Sequence, residues 1–226
     1  MSTSPLNRRR LLLPEMEGVT ARWYARQRGT PGQIAWFRAE ARRLAARLPE
    51  DADVLEIAPG PGYLAIEMAR LGGLRITGLD ISRTMVEIAT ENAETVGAGV
   101  DFRHGDATSM PFPEGSFDGI VCQAAFKNFR QPLAALDEMH RVLRSGGLAV
   151  IQDMRKDATS ADIGAEVRRQ GLGWFNGFMT RRILEGLRRR AYTRAGFEKL
   201  VAASRFGACE VDVDGIGLEV RLTRRA

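Results

Sequence analysis

The middle of the chain alternates between short apolar runs and segments with helical periodicity. Five short, mostly apolar runs have the composition of strands: VLEIA, LRITGLD, VDFRHGD, FDGIVC and LAVIQDM. Apolar positions at helical spacing fall between them, at about Tyr63–Leu71, at about Arg83–Thr95 and from Pro132 onwards. This alternation predicts a parallel sheet that is covered by helices on both faces.

Segments on either side of this unit extend the predicted fold. Helical periodicity at 15–28 and 33–48 places two helices before the first strand, and another helix at 193–203 follows a basic and aromatic stretch. The runs GACEVDVDG and GLEVRLTR predict a closing antiparallel hairpin. We expect one α/β domain made of N-terminal helices (1–50), a core (51–155), a helical cap (156–192) and a closing helix and hairpin (193–226).

Length and composition are sufficient for a domain with its own core. The chain has 226 residues, and 44% of them are hydrophobic. The segment RRRLLLP is too short for a signal peptide and no apolar stretch approaches membrane-spanning length, so we expect a cytoplasmic protein without a membrane partner. Cys122 and Cys209 lie far apart, which indicates neither a disulfide framework nor a metal site.

Charge is distributed unevenly along the chain. The formal net charge is +5, and the basic excess lies in the N-terminal segment and in the stretch RRQGLGWFNGFMTRRILEGLRRR. Such stretches favour either an anionic partner, such as RNA or a lipid surface, or ordinary solvated helix faces. We favour solvated faces, so a nucleic-acid partner is possible but not preferred.

Three features fall at the carboxyl ends of the first three strands. The loop Ala58-Pro59-Gly60-Pro61-Gly62 follows the first strand, Asp80 ends the second, and Asp106 follows the third. Open parallel sheets bind ligands at this edge. An acid at the second strand can accept hydrogen bonds from ribose hydroxyls, and an acid after the third can accept one from an exocyclic amine. The pattern therefore predicts a site for an adenosine.

Two kinds of cofactor contain this adenosine. The run from Gly60 to Ala65 fits the dinucleotide fingerprint, with Asp80 at about the expected distance. A pyrophosphate, however, needs backbone N–H donors, and Pro59 and Pro61 have none. A cofactor without a phosphate does not need those donors, so we expect NAD not to bind.

The motifs VLEIAPGPGYLAIEMA, ITGLDIS, FRHGDATSMPFPEGSFDGIVC and MHRVLRSGGLAVIQD together resemble, in order, those of class I S-adenosylmethionine-dependent methyltransferases. Within that superfamily they are most similar to the ubiquinone and menaquinone biosynthesis type and to small-molecule methyltransferases. The resemblance covers about residues 50–155. It implies a Rossmann-like seven-stranded sheet, mostly parallel, with a reversed last strand.

The resemblance also implies a role for each motif residue. Glu56 and the loop with Ala58, Gly60, Gly62 and Tyr63 would face the methionine end of S-adenosylmethionine, whose product is S-adenosylhomocysteine. Asp80 would bind the ribose and Ile81 would pack on the adenine. Asp106 and Ala107 would contact the adenine edge, and Gln123 would lie beside the sulfonium.

Two local expectations concern these residues. The family loop usually begins with glycine where this chain has Ala58, so we expect an ordinary backbone conformation there. We expect Asp80 to be an exposed strand-end acid, so that its loss affects the ligand more than the fold.

The chemistry expected of this cofactor needs little from the protein beyond alignment and exclusion of water, since a sulfonium methyl is already activated. Lys127 and Asn128, in the loop CQAAFKNFRQP, are candidates to orient an acceptor atom. Alternatively Asn128 caps the following turn and Lys127 points to water. We interpret His104 and His140 as structural.

The acceptor site must come from segments outside the motifs. Tyr24, Phe126, Trp174 and Phe178 are candidate substrate contacts, the last two in a cap closing over the acceptor. Such aromatic residues can equally be helix cores, which we favour for Trp36 and Phe37. We expect methyl transfer to an oxygen, nitrogen or carbon of a small, partly apolar metabolite. The alternatives are an RNA or protein methyltransferase and a non-catalytic S-adenosylmethionine- or NAD-binding domain.

Overall fold

A computed structural model describes residues 16–169 and 174–225. It contains seven strands: β1 (Asp53–Ile57), β2 (Arg75–Asp80), β3 (Val100–His104), β4 (Phe117–Gln123), β5 (Leu143–Met154), β6 (Glu210–Asp214) and β7 (Gly217–Thr223). Its helices are α1 (Gly18–Arg28), α2 (Pro31–Ala45), α3 (Tyr63–Ala69), α4 (Arg83–Val96), α5 (Pro132–Val142), α6 (Ser160–Arg169), α7 (Trp174–Arg188) and α8 (Arg194–Ala202). A short 3-10 helix spans Phe126–Asn128.

The strands form one sheet in the order β3-β2-β1-β4-β5-β7-β6. The pairs among β1 to β5 are parallel, whereas β7 runs antiparallel to both β5 and β6. The predicted α/β sheet with a reversed last strand and a closing hairpin is confirmed. The chain order reverses between β1 and β4, so the edge at their carboxyl ends is the ligand edge of such a sheet.

Apolar side chains cover both faces of the sheet. On one face, β1, β4 and β5 pack with α5 and α8 around side chains such as Leu55, Ile120 and Phe197. On the other face, Val54, Val121 and Val150 pack with α2 and α3. Cys122 is buried in β4. These buried strands hold their carboxyl ends, and the loops that follow them, in fixed relative positions.

The segments outside the core pack at its periphery. Helix α1 lies on α4, with Ala21 and Ala25 against Met85 and Ile88. Helices α6 and α7 pack on each other and, through Ile163, on the end of β5. Residues 1–15 of the predicted N-terminal segment and 170–173 of the predicted cap lie outside the described residues.

Candidate active site

The loop after β1 makes its turn through unusual backbone conformations. Gly60 and Gly62 have φ of +55° and +78°, which glycine adopts without steric cost. Ala58 has φ +55° as well, so the expectation of an ordinary conformation there was wrong. The expectation considered only the preference of alanine. Tertiary hydrogen bonds hold this residue, and they outweigh a local cost of about 1–3 kcal/mol.

Every backbone N–H group of this loop already has a partner. Among residues 58–62, all of which are described, Ala58 donates to the Leu79 carbonyl at 2.8 Å and Gly62 donates to the Pro59 carbonyl at 3.1 Å. Gly60 donates to Asp80 Oδ2 at 3.0 Å, and the two prolines have no N–H. The loop therefore offers no free donor to a pyrophosphate, which is the usual ligand of a glycine-rich turn.

The two glycines differ in what surrounds them. A Cβ built on Gly62 would lie 2.6 Å from the Phe102 ring and 2.9 Å from Ala89, so close packing excludes a side chain there. A Cβ on Gly60 would have only the Tyr24 ring nearby, at 4.0 Å. Open space thus lies against the backbone of Gly60, beneath helix α1.

Asp80 joins this loop to the end of β2. Its Oδ2 accepts from the Gly60 N–H and its Oδ1 accepts from the Ser82 N–H at 2.9 Å. The side chain is buried, so the expectation of an exposed acid was wrong. Burial raises its pKa, and the two backbone hydrogen bonds oppose the rise. Asp80 therefore shapes the loop, and its role in binding a ribose remains a prediction.

Glu56 lies under the same loop, on the α3 side of β1. It is buried, and its Oε2 has no hydrogen-bond partner among the described residues. Its pKa is raised to about 8, mainly by burial and in smaller part by the charge of Asp80, while a hydrogen bond from the Ala65 backbone opposes the rise. An unpaired buried acid of this kind is suited to a cationic ligand.

The adenosine end of the predicted site has a mixed surface. Ile81 is 49% exposed, which leaves its apolar side chain free to contact a ring. Asp106 is exposed after β3, where its Oδ1 accepts from the Thr108 N–H at 2.8 Å, and Ala107 is half-buried against the core. His104 Nε2 lies 3.0 Å from the Ile81 carbonyl, which fits the structural role predicted for it.

Helix α1 is held over this site at both ends, which the sequence did not indicate. Glu17 accepts from the Arg83 N–H at 2.9 Å and from the Thr84 N–H at 3.1 Å, so it caps the first turn of α4. At the other end, Tyr63 donates its hydroxyl to the Ala25 carbonyl at 3.1 Å. Hydrogen bonds from Thr84 lower the pKa of Glu17, which keeps this cap ionised. Tyr24 is half-buried between these two attachments.

Gln123 is the last residue of β4, and its side-chain amide is engaged in a hydrogen-bond network with other side chains. Its Nε2 donates to Gln152 Oε1 at 2.9 Å, and Gln152 donates to Glu40 and to Glu219 at 2.6 and 2.9 Å. Arg43 closes this network by binding both acids. The side chain of Gln123 is therefore held in one position at the carboxyl end of β4, and its place beside a sulfonium remains a prediction.

The turn after β4 contains three residues that were candidates to contact the methyl acceptor, and they lie in different environments. Phe126 is 0% exposed and packs in the core against Phe129, Tyr192 and Phe197, which leaves it no surface for a substrate. Lys127 does not point to water: it is buried, and its Nζ lies 2.8 Å from Asp153 Oδ1. Asn128 is half-buried, and its Oδ1 is buried without a partner among the described residues.

The two cap residues lie on the surface of α7. Trp174 is 86% exposed and Phe178 is 55% exposed. The helix is anchored instead by Leu184 and Leu187, which pack near Met154 and Ile216. In this arrangement the two aromatic side chains present apolar surface, and a role in acceptor binding remains a prediction.

Residues 16–169 and 174–225 lack the features of two other classes of protein. No group of His, Cys, Asp and Glu side chains has the arrangement of a metal site within those ranges. None of the helices described there is long and apolar enough to cross a membrane.

Residues 55–151 match the family model of the methyltransferase domain. This part of the chain, which is less than half of its length, is similar to that family. The matched residues run from the middle of β1 into β5 and include the glycine loop, Asp80 and the turn after β4. The predicted family, that of S-adenosylmethionine-dependent methyltransferases, is confirmed for this methyltransferase domain.

Curated relatives match the same region. The chain is 35% identical over 125 residues to a demethylmenaquinone methyltransferase of Deinococcus radiodurans, covering 55% of this chain and 51% of that protein. It is 38% identical over 99 residues to one of Thermus thermophilus, covering 43% and 45%. A ubiquinone/menaquinone biosynthesis C-methyltransferase UbiE of Geotalea uraniireducens is 32% identical over 120 residues, covering 51% and 50%. The chain thus spans about half the length of these relatives.

Solved structures share the fold over more of the chain. A protein from Methanococcus maripaludis has a TM-score of 0.71 at 21% identity, covering 100% of this chain and 98% of that one. A SAM-dependent methyltransferase from Aquifex aeolicus has a TM-score of 0.66 at 17% identity, covering 88% and 96%. At these identities the similarity shows the fold, including the elements outside the matched domain.

Proposed function

We propose that the chain transfers a methyl group from S-adenosylmethionine to an oxygen, nitrogen or carbon of a small, partly apolar metabolite. The observation that carries this proposal is the loop after β1, whose N–H groups are all occupied. Beneath it lie two buried acids, Glu56 and Asp80. A dianionic pyrophosphate would find no donors and two carboxyl groups there, whereas a cofactor with a sulfonium and an ammonium finds favourable charge.

The residues present fit this cofactor along its whole length. Asp80 and the exposed Ile81 would hold the ribose and one face of the adenine, and Asp106 with Ala107 would meet the adenine edge. Glu56 would pair with the cationic methionine end against the loop from Ala58 to Tyr63. When bound, the cofactor supplies an activated methyl group, and Gln123 would border the place where that group is transferred.

The protein's own contribution is to align the acceptor and exclude water. Tyr24 and helix α1 would close the site on the cofactor side. The segment 156–192, with Trp174 and Phe178, would bind the acceptor as a cap. Matched relatives are named as a demethylmenaquinone methyltransferase and as a ubiquinone/menaquinone biosynthesis C-methyltransferase, so we propose a quinone-type ring acceptor with one polar edge and one apolar face.

A nucleic-acid acceptor is less favoured because many of the basic residues are already paired. In the N-terminal helices Arg38 binds Glu67, and Arg43 and Arg47 both bind Glu219. Arg181 of α7 pairs with Glu185. Paired arginines contribute little net positive potential at the surface, so the basic excess in the sequence overstates the field that an RNA would meet.

Ligand binding tests the cofactor and turnover tests the reaction. S-adenosylhomocysteine should raise the unfolding midpoint with the logarithm of its concentration above Kd, and NAD should leave it unchanged. Formation of S-adenosylhomocysteine from S-adenosylmethionine should then depend on an added 1,4-naphthohydroquinone or catechol, with bulk RNA as the comparison. A midpoint that responds to NAD alone contradicts the cofactor, and turnover with RNA alone contradicts the acceptor class.

A further inference from the structure

Lys127 and Asp153 form an ion pair buried between the ends of β4 and β5. Both side chains are 4% exposed, and Lys127 Nζ lies 2.8 Å from Asp153 Oδ1. Asp153 also accepts from the Lys127 N–H at 2.8 Å and from the Met154 N–H at 2.7 Å. A lysine with its ammonium committed in this way is not available as a base, and removing either partner would leave a buried charge unpaired.

The same ammonium holds a strained residue at the start of the turn. Ala124 has φ +55°, its N–H donates to the Gln152 carbonyl at 2.7 Å, and its carbonyl accepts a hydrogen bond from Lys127 Nζ. A non-glycine residue in this conformation costs about 1–3 kcal/mol and persists only where its surroundings impose it. The Lys127–Asp153 pair is one such constraint, and the buried ring of Phe126 is another.

The turn places a polar atom in an unfavourable environment. Asn128 Oδ1 is buried and has no hydrogen-bond partner within residues 16–169 and 174–225, although the Asn128 N–H donates to the Ala125 carbonyl at 2.9 Å and closes the turn. Glu56 Oε2 is the other buried side-chain atom in this condition within the described ranges. Both atoms belong to segments that end at the same edge of the sheet. A buried acceptor without a donor reduces stability, so its retention points to a ligand that supplies the donor.

We propose that Asn128 Oδ1 accepts a hydrogen bond from a hydroxyl or amine of the methyl acceptor, and that Lys127 is the positioning residue that holds this turn. The inference rests on the proposed function, because it names the acceptor's chemistry at the same site. It restricts the acceptor to molecules with a donor beside the nucleophilic atom. A hydroquinone has such a donor, whereas the corresponding quinone or dimethyl ether has none.

Asn128→Leu is the central test, because leucine has the same branched arrangement of side-chain heavy atoms and no polar atom. We expect the unfolding midpoint to rise by about 2–4 °C, since an unpaired acceptor has been removed. Turnover of the hydroquinone should fall roughly 10- to 100-fold, while the Kd for S-adenosylhomocysteine changes less than about twofold. Asn128→Asp, which keeps an oxygen at this position, should retain more turnover than the leucine variant.

Lys127 needs a test that separates positioning from general stability. Lys127→Met should lower kcat for the hydroquinone more than it weakens S-adenosylhomocysteine binding. Ala124→Gly should reduce that loss when the two changes are combined, because glycine adopts φ +55° without the constraint. If the ion pair is only structural, Lys127→Met should cause the same loss of kcat with and without Ala124→Gly, and stability and turnover should fall together.

The results also distinguish this inference from the proposed function. If wild-type protein bound neither S-adenosylmethionine nor its product, the proposed function would fail, and the midpoint of Asn128→Leu would still report whether Oδ1 is unpaired. A lower midpoint for Asn128→Leu, or full turnover by that variant, would overturn the role of Asn128. Equal losses for Lys127→Met with and without Ala124→Gly would overturn the role of Lys127.

Discussion

Protonation of Glu56 should be coupled to cofactor binding. In the unliganded protein, burial raises the pKa of this carboxyl to about 8, so nearly all of it is protonated at pH 6.5. A bound ammonium or sulfonium favours the ionised form, which forces the proton off. We therefore expect close to one proton to be released per cofactor bound at pH 6.5. Because one pKa unit is about 1.4 kcal/mol, affinity should rise about tenfold per pH unit between pH 5.5 and 7.5.

Stability without the ligand should show the opposite trend. The folded state binds this proton more tightly than the unfolded chain, whose pKa is near 4.5, so the contribution of Glu56 is complete below pH 4.5. It is lost as the pH rises through 8, by an amount on the order of 5 kcal/mol. Glu56→Gln, which stays neutral, should remove this decline and be more stable than the wild type at pH 8–9.

Calorimetry in buffers of different ionisation enthalpy measures the released proton directly. Glu56→Gln should abolish the release and weaken binding of S-adenosylhomocysteine by roughly 2–3 kcal/mol. Glu67→Gln is the matched control: this acid is also buried, but it is already paired with Arg38 at 2.8 Å and Arg70 at 3.2 Å. If both variants and the wild type released the same number of protons, Glu56 would not face the cationic end of the cofactor.

Three further changes test other parts of the site. Asp80→Asn should weaken S-adenosylhomocysteine binding by roughly 2–4 kcal/mol and also lower the unfolding midpoint, because the single amide oxygen cannot replace both carboxylate oxygens that accept from Gly60 and Ser82. Unchanged binding in calorimetry would contradict the role of Asp80 in binding the ribose. Ala58→Gly should raise the midpoint by about 2–4 °C in a thermal melt, because glycine relieves φ +55°; a lower midpoint would mean that the strain is not stored there. Trp174→Ala and Phe178→Ala, made separately, should each reduce hydroquinone turnover without changing cofactor affinity, and full turnover by both would show that the α7 surface does not bind the acceptor.

The architecture could be predicted from the sequence because its signals are local and repeated. Each buried strand is a short apolar run, each helix has its own periodicity, and parallel pairing follows from their alternation. Glycines and prolines marked the loop after β1, and strand-end acids marked Asp80 and Asp106. These features depend on a few neighbouring residues, so one sequence is sufficient to recognise them.

What the sequence did not reveal depends on contacts between distant residues. Ala58, with its positive φ, donates its N–H to the Leu79 carbonyl of β2, and Asp80 is buried where it accepts from Gly60 of the loop after β1. The partner of Lys127 is Asp153, 26 positions away on the next strand of the sheet. Local preference favours an unstrained backbone for the first of these residues and an exposed side chain for the other two. Only tertiary packing selects the strained or buried state that the structure shows.

Among the described residues, two of the three non-glycine residues with positive φ lie at the same edge of the sheet as the two buried side-chain oxygens without a partner; the third, Asp51, precedes β1. Ala58 follows β1 and Ala124 follows β4, and both adopt φ +55° at the ends of neighbouring parallel strands. Glu56 precedes the first of these turns and Asn128 follows the second, and each carries a buried oxygen without a donor. Each of the four features reduces the stability of the fold, and a sequence selected for stability alone would replace them with glycine or apolar side chains. Their concentration at the carboxyl ends of β1 and β4, where the order of the strands reverses, is the physical argument that this edge is kept for a ligand. The buried oxygens of Glu56 and Asn128 then indicate what the ligands at this edge supply: a cationic group beside β1 and a hydrogen-bond donor beside β4.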